Sequence, residues 1–331
     1  MRTVRSSQGS SIDARSGRSS ILDDLDRALV RRLRVDGRES NRSLATALEI
    51  GEVNVAGRLR RMAEANIMRI VAVADIQLFG HREFAFALIS VSGRPAFDVA
   101  EDVARIPEVQ SATVCTGQCD IIATVLGRDL RHVGSLFDHA LRRVEGVAAV
   151  QGSITLDVVK FDSTWAMLSA SGGPAPEAGR TQRADATDLA IIGLLQLDAR
   201  RSNRGIATEL NISEGTVRRR IKQMQADRIF RIQAVSDAGS FGIAAYAFVG
   251  ISTIAGAVTP VSRALMHRAD VAQVFHVLGD FDIMALITGT ERESLMTAIL
   301  DEIATLHGVR RIAIFDAHSS PKHNYAWAWL V

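Results

Sequence analysis

Ser213-Glu214-Gly215-Thr216-Val217-Arg218-Arg219-Arg220-Ile221-Lys222-Gln223-Met224 is the stretch whose reading decides the fold. Taken as a helix, it sets Val217, Ile221 and Met224 at i, i+4 and i+7, one apolar stripe. Thr216, Arg218, Arg219, Arg220 and Lys222 fall on the other faces, and Ser213 stands where an N-cap hydroxyl accepts a first-turn N–H. A helix with one apolar side and one densely cationic side suits the major groove of duplex DNA, where arginine meets phosphates and guanine edges. A run of charge alone is more often a solvated surface than a reader, so the neighbouring sequence decides.

Upstream, Asp188 to Leu197 carries Leu189, Ile192 and Leu195 on successive helical turns. Residues 198–203 are a polar break ending in cap-type residues, Arg204 to Leu210 is a short helix with Ile206, Ala207 and Leu210 inward, and Asn211-Ile212-Ser213 is a tight connection. Helix, short helix, turn and basic helix make a helix-turn-helix reader. Arg228 to Val235 then alternates apolar and polar like a strand and closes the module as a wing.

The 331 residues are 47% hydrophobic, enough for two to four domains with real cores. Net charge is only +2. Residues 1–20, 21–74 and 185–235 are each net positive, while 76–166 and 239–331 are net negative. Two cysteines, Cys115 and Cys119, are too few for a disulfide framework and point to a reducing cytoplasm. No apolar run has the length of a membrane span, and no membrane role is expected. Residues 1–20 are Ser- and Arg-rich without a signal-peptide core, and read as a disordered basic leader.

The chain repeats itself without a gap at a shift of 162 residues. Asp26 meets Asp188, Ser40-Asn41-Arg42 meets Ser202-Asn203-Arg204, and Arg58 meets Arg220. Further on, Gly117 meets Gly279, Asp120 meets Asp282, and Trp165 meets Trp327. A period this long is a duplicated domain pair, not a solenoid. The expected division is leader 1–20, helix-turn-helix 21–75, sensor 76–167, a Gly/Pro/Ser/Ala-rich linker 168–184, helix-turn-helix 185–237 and sensor 238–331.

In the first copy Leu22, Leu25, Leu29 and Leu33 mark the opening helix, Asn41 to Leu48 the short one, and Glu52 to Ala63 the reader, with Val55, Leu59 and Met62 inward. This reader departs from its twin: Thr216 becomes Asn54, Arg218 becomes Ala56 and Arg219 becomes Gly57. A mid-helix glycine costs about 1 kcal/mol relative to alanine. Arg58, Arg60 and Arg61 remain as cations, so this head binds DNA more weakly or reads a different half-site; simple drift in a head that now contributes mainly packing explains the same changes. The DNA-binding set is therefore Asn54, Arg58, Arg60 and Arg61 with Ser213, Thr216, Arg218, Arg219, Arg220 and Lys222.

From Glu83 the pattern becomes strand 84–91, helix 95–105, strands 109–115 and 120–126, helix 130–144 and strand 147–159. That β-α-β-β-α-β order is ferredoxin-like, and it returns at 244–317. The fold class is thus α+β, a duplicated unit of winged helix-turn-helix plus ferredoxin-like sensor.

This combination resembles the Lrp/AsnC family of feast/famine regulators. The resemblance is carried by Leu25-Asp26-Arg27, Leu33, Asp36-Gly37-Arg38, Asn41 and Leu44-Ala45. In the second copy Ser213, Thr216-Val217, Arg219-Arg220-Ile221 and Arg228-Ile229 carry it, together with Gly279-Asp280-Phe281-Asp282 at the turn between the central sensor strands. It covers almost all of the chain outside leader and linker, in a tandem form of a unit that most members carry once. The resemblance implies transcriptional regulation on double-stranded DNA, homo-oligomers assembled through the sensor domains, and an amino acid or related small acid as effector.

At the sensor turns Gly117 and Gly279 allow a sharp reversal, and Asp120 and Asp282 offer a carboxylate to a ligand ammonium; a plain hairpin turn explains the same residues. Gln118-Cys119 stands where the second copy has Asp280-Phe281, so the two turns differ in preference or one is silent. For the cysteines, apolar filling and a turn thiol outweigh a redox or metal role. The histidines show no metal-ligand spacing, and no cofactor, metal site or catalytic residue is expected. The tail tryptophans Trp165, Trp327 and Trp329 read as packing or interface anchors. Siroheme decarboxylases resemble the same fold combination and are the competing reading. They use His and Arg around a tetrapyrrole, but strands 69–73 and 231–235 hold no histidine, and His81-Arg82 is replaced by Ile243-Ala244 in the second copy.

Overall fold

Asp23 opens the first head with a capping box. Its carboxylate accepts the Asp26 N–H at 2.8 Å, and the Asp26 carboxylate accepts the Asp23 N–H at 3.3 Å. In the computed structural model, residues 22–75, 78, 83–166, 184–323 and 327–328 are described. The expected leader 1–20, nearly all of the linker, Phe79-Gly80, His81-Arg82 and Trp329 lie outside them.

The first head is α1 (Asp24–Val35), α2 (Asn41–Ala47), α3 (Glu52–Glu64) and strand β1 (Met68–Asp75). The first sensor runs β2 (Glu83–Val91), α4 (Ala96–Ala104), β3 (Val109–Thr116), β4 (Ile121–Gly127), α5 (Leu130–Ser135) and β5 (Val147–Phe161), then a tail strand β6 (Trp165–Ala166). The second head is α6 (Ala186–Leu197), α7 (Asn203–Leu210), α8 (Glu214–Ala226) and β7 (Phe230–Asp237). The second sensor is β8 (Ala245–Thr253), α9 (Val258–Met266), β9 (Val271–Leu278), β10 (Ile283–Gly289), α10 (Arg292–Thr297) and β11 (Val309–His323), with tail strand β12 (Trp327–Ala328). No helix among the described residues is long and apolar enough to cross a membrane.

The continuous helix expected at 130–144 is interrupted. After α5 the backbone widens into a π-helical turn at Leu136–Ala140 and tightens into a 3₁₀ turn at Leu141–Arg143; Ala298–Ile303 widens likewise after α10. The shift in turn width keeps Val133, Leu136 and Leu141 on the buried side, which an apolar count alone does not reveal.

The two halves pair within one chain. β1 and β7 run antiparallel, with Val71 opposite Gln233, residues 162 apart, so a local dyad passes between equivalent positions. The expected wing is therefore not a local hairpin: each head lends its strand to the other. α1 packs on β7 and α6 on β1. The first head's core, Leu29, Leu33, Leu44, Val55 and Met62, is completed by Ala234 of β7. The second head's core, with Ile192, Leu195, Val217 and Met224, includes Ala72 of β1. Gly37 is required at this junction, because a Cβ there would lie 2.9 Å from the Gln233 nitrogen and the Ile232 carbonyl carbon.

Each sensor has its ferredoxin-like strand order, and the two sheets close into one barrel, β10-β8-β11-β3-β4-β2-β5-β9. The joins are β5 with β9 and β11 with β3, and they too are related by the repeat: Ile154 faces Leu278, and Asp316 faces Thr116. The barrel interior is shared, with Phe84 stacked on Phe275 at 5.4 Å and Phe86 edge-on to Phe275 at 5.2 Å. The tails cross back to the heads: β6 pairs parallel with β7 and β12 with β1, so both tail tryptophan positions extend the ribbon between the readers.

Candidate nucleic-acid interface

α8 forms where the apolar period predicts it. Val217, Ile221 and Met224 are buried, and the Ser213 hydroxyl accepts the Thr216 N–H at 3.0 Å as N-cap. Ser213 also bonds the Thr216 hydroxyl at 2.8 Å. Arg218, Arg219 and Lys222 stand on the exposed side. Among the described residues Arg218 pairs along its own helix, to Glu214 at 3.0 Å, with its side chain 70% exposed; such i,i+4 pairs contribute a few tenths of a kcal/mol and open readily to a phosphate.

Arg220 does something else. Its Nη1 donates to Asp185 at 2.8 Å and to Asp188 at 2.9 Å, the two carboxylates of the α6 capping box. In the first head Arg58 donates to Asp23 at 2.6 Å and Asp26 at 2.9 Å. Asp26 is fully buried and also takes Arg61. The first backbone N–H it accepts, that of Asp26, and then Arg58 hold the Asp23 carboxyl below its usual range; Asp185 is held down in the same way by Asp188 and Arg220. Arg58 and Arg220, both expected among the DNA-binding residues, are here engaged within the protein: each clamps the reader helix to the start of the first helix of its head. Arg61 is drawn into the same clamp, and the Asn54 side-chain oxygen accepts Arg58 Nε at 2.9 Å. Arg60 remains outward on α3.

Arg38 and Arg200, equivalent residues in the loops after α1 and α6, were not singled out as functional. Arg38 Nη2 donates to the Arg201 carbonyl at 2.8 Å, and Arg200 Nη2 to the Glu39 carbonyl at 2.6 Å. These reciprocal bonds fix the distance between the heads. The only signal in the sequence is the repeat of Asp-x-Arg at 36–38 and 198–200, which says nothing of a contact between halves.

The four sensor-turn residues have structural work. Asp120 Oδ2 accepts the Val91 N–H at 2.7 Å; Asp282 Oδ2 accepts the Thr253 N–H at 2.7 Å and its hydroxyl at 3.0 Å. One oxygen of each carboxylate expected to receive a ligand ammonium is thus engaged within the protein. Gly117, at φ +144°, leaves no room for a Cβ, which would sit 2.3 Å from the Ile314 carbonyl oxygen of the other half. A Cβ on Gly279 would meet Ser153 Oγ at 2.6 Å, again across the halves. Cys115 and Cys119 are buried with sulfurs 3.8 Å apart; their mutual hydrogen bond and burial push the Cys115 thiol up, so it stays protonated. Among the described residues no three His, Cys, Asp or Glu side chains gather as metal ligands.

Comparison with known proteins fits this geometry. The AsnC-type helix-turn-helix domain matches residues 22–63 and again 185–225. The Lrp/AsnC ligand binding domain matches 84–165 and 246–327. An HTH-type transcriptional regulator of Pyrococcus abyssi (strain GE5 / Orsay) is 28% identical over 141 residues, 42% of this chain and 89% of that protein. A second from the same organism is 30% identical over 144 residues, 42% of this chain and 96% of that one. Among solved structures, the siroheme decarboxylase NirDL superposes with a TM-score of 0.62 at 17% identity, covering 91% of this chain and 93% of that one. At that identity the likeness is one of fold.

Proposed function

The chain belongs to the Lrp/AsnC family of DNA-binding transcription regulators, and on that premise we propose that one chain does here what two copies do in single-unit members. The observation that carries this is the dyad at Val71 and Gln233, which sets α3 and α8 as equivalent helices on one body. Two heads related by such a dyad meet half-sites about one helical turn, ~34 Å, apart. Arg218, Arg219 and Lys222 with Thr216 are the contacts of α8; Arg60 is the principal cation of α3. Gly117, Asp120, Gly279 and Asp282 hold the turns beside the seams between the sensors, and an amino acid or related small acid is the effector class. Its binding shifts DNA affinity only by as much as it prefers one arrangement of the heads. With the barrel closed inside the chain, further homo-oligomers form through outer faces of the sensors.

The chain is read as a regulator and not as an enzyme. β1 and β7, the strands that follow the readers, contain no histidine, while α8 keeps an outward cationic face suited to phosphate. The two readings part in one experiment: titrate the full chain into labelled duplex at rising salt, and separately into siroheme while following visible absorption. Salt-sensitive DNA binding with an unshifted siroheme band is expected. A shifted band without DNA binding overturns the proposal.

A further inference from the structure

The two readers are one scaffold with two different faces. The clamp has the same core in both, with Arg58 on Asp23 and Asp26 and Arg220 on Asp185 and Asp188, and the dyad presents both helices alike; the first adds Arg61 on Asp26, where the second has Gln223. The buried stripes are equivalent: Val55, Leu59 and Met62 against Val217, Ile221 and Met224. The differences that matter to a duplex are in the outward residues. The first turns of a recognition helix are the part that contacts base edges. There α8 carries Thr216, Arg218 and Arg219, and α3 carries Asn54, Ala56 and Gly57.

We propose that the operator is not a palindrome: its α8 half-site presents guanine to Arg218 and Arg219, and its α3 half-site is A·T, met at thymine methyls by Val53 and Ala56. This rests on the DNA-binding reading above and specifies the duplex it takes. Arginine pairs bidentately with guanine O6 and N7, and an apolar side chain in the major groove discriminates by the thymine methyl. Val53 is 88% exposed at the second position of α3, a β-branched apolar residue with no part in the core. Gly57 has nothing within 4 Å of where a Cβ would stand, so the α3 backbone can approach the groove floor closely. With Arg61 and Arg58 bound to Asp26, α3 has few cations to offer phosphate. Its half-site is held mainly because α8 already holds the other one, which raises the local concentration.

The test is selection of duplexes by the full chain from a library of roughly 30 random base pairs, about three helical turns. The expected motif has unlike halves, guanine-bearing and thymine-rich, centred about 10 base pairs apart. A motif equal to its own reverse complement overturns the proposal while leaving DNA binding intact. Retention of no duplex overturns the DNA-binding reading itself. Uracil in place of thymine in the α3 half-site lowers affinity about fourfold per methyl contacted, and the same exchange in the α8 half-site does nothing. Equal effects on both sides overturn the proposal. In the variant Ala56→Arg/Gly57→Arg both positions are solvent-facing and Gly57 is not at positive φ, so the fold is expected to hold, with circular dichroism as the check. It gains affinity for a palindrome of two α8 half-sites, by roughly 5- to 150-fold for each new arginine that pairs bidentately with guanine. No gain in a folded variant overturns the proposal.

Discussion

Replacing Arg292 by leucine should expose the cost of a buried carboxylate that the first half avoids. Arg292 at the start of α10 is ion-paired with Asp316 of β11; the arginine side chain is 61% exposed, the aspartate 9%. The equivalent residues of the first half are Leu130 and Ile154, an apolar pair in the same frame. Losing one partner of a buried pair costs about 3–5 kcal/mol. Here the carboxyl has an escape, protonation, which at pH 7 costs at most about 4 kcal/mol for a group titrating near 3.9 in the unfolded chain. Arg292→Leu is therefore expected to lower stability by about 2–4 kcal/mol at pH 7. At pH 5 the ceiling falls to about 1.5 kcal/mol, because the proton is then easier to acquire. The double variant Arg292→Leu/Asp316→Ile restores the apolar arrangement and should lie within about 1 kcal/mol of wild type. Urea unfolding followed by far-UV circular dichroism at both pH values measures four proteins: wild type, Arg292→Leu, Asp316→Ile and the double variant. A single variant as stable as wild type at pH 7, or two single variants whose effects simply add in the double, would refute the reasoning.

Three other perturbations test different parts of the molecule. Gly37→Ala drives a methyl into the Ile232–Gln233 backbone and should cost about 1–3 kcal/mol in thermal unfolding, since backbone cannot turn aside. Glu49 and Asn211 hold the same left-handed position, φ 55° and 53°, which asparagine tolerates better; Glu49→Asn should stabilise by roughly 0.5–1 kcal/mol, and a loss would count against it. Asp23 and Asp185 titrate below 3.8 in the folded chain, so their ionised forms stabilise it. That contribution is complete above the unfolded value and lost as pH falls through the folded one. The near-UV signal should thus hold to about pH 5 and decline below about 3.8, and Asp23→Asn/Asp185→Asn should flatten the decline.

The α8 stripe, the Ser213 cap and the ferredoxin-like strand order were legible because each is set by residues near in sequence. The repeat made the second half a check on the first. What stayed hidden was every contact between halves. Arg58 and Arg220 look like reader cations on a helical wheel, but their partners lie 32 and 35 residues upstream in a capping box, and only the packing of two helices brings them together. Asp120 and Asp282 look like open turn carboxylates until a neighbouring strand end supplies the N–H they accept. Strand alternation in Phe230–Asp237 shows a strand and not its partner, so the exchange of β1 and β7 between heads was beyond reach.

The central claim is that the outward cations of α8 lie on duplex DNA. It is tested most directly by the slope of log affinity against log salt for wild type and for Arg218→Ala/Arg219→Ala/Lys222→Ala, read by fluorescence anisotropy on one duplex. Each phosphate contact adds about 0.9 to that slope, so the triple variant should have a slope shallower by about 1 for Lys222 on phosphate, and should bind more weakly still for the two guanine contacts of Arg218 and Arg219. A folded variant with the same affinity and the same slope would contradict the account.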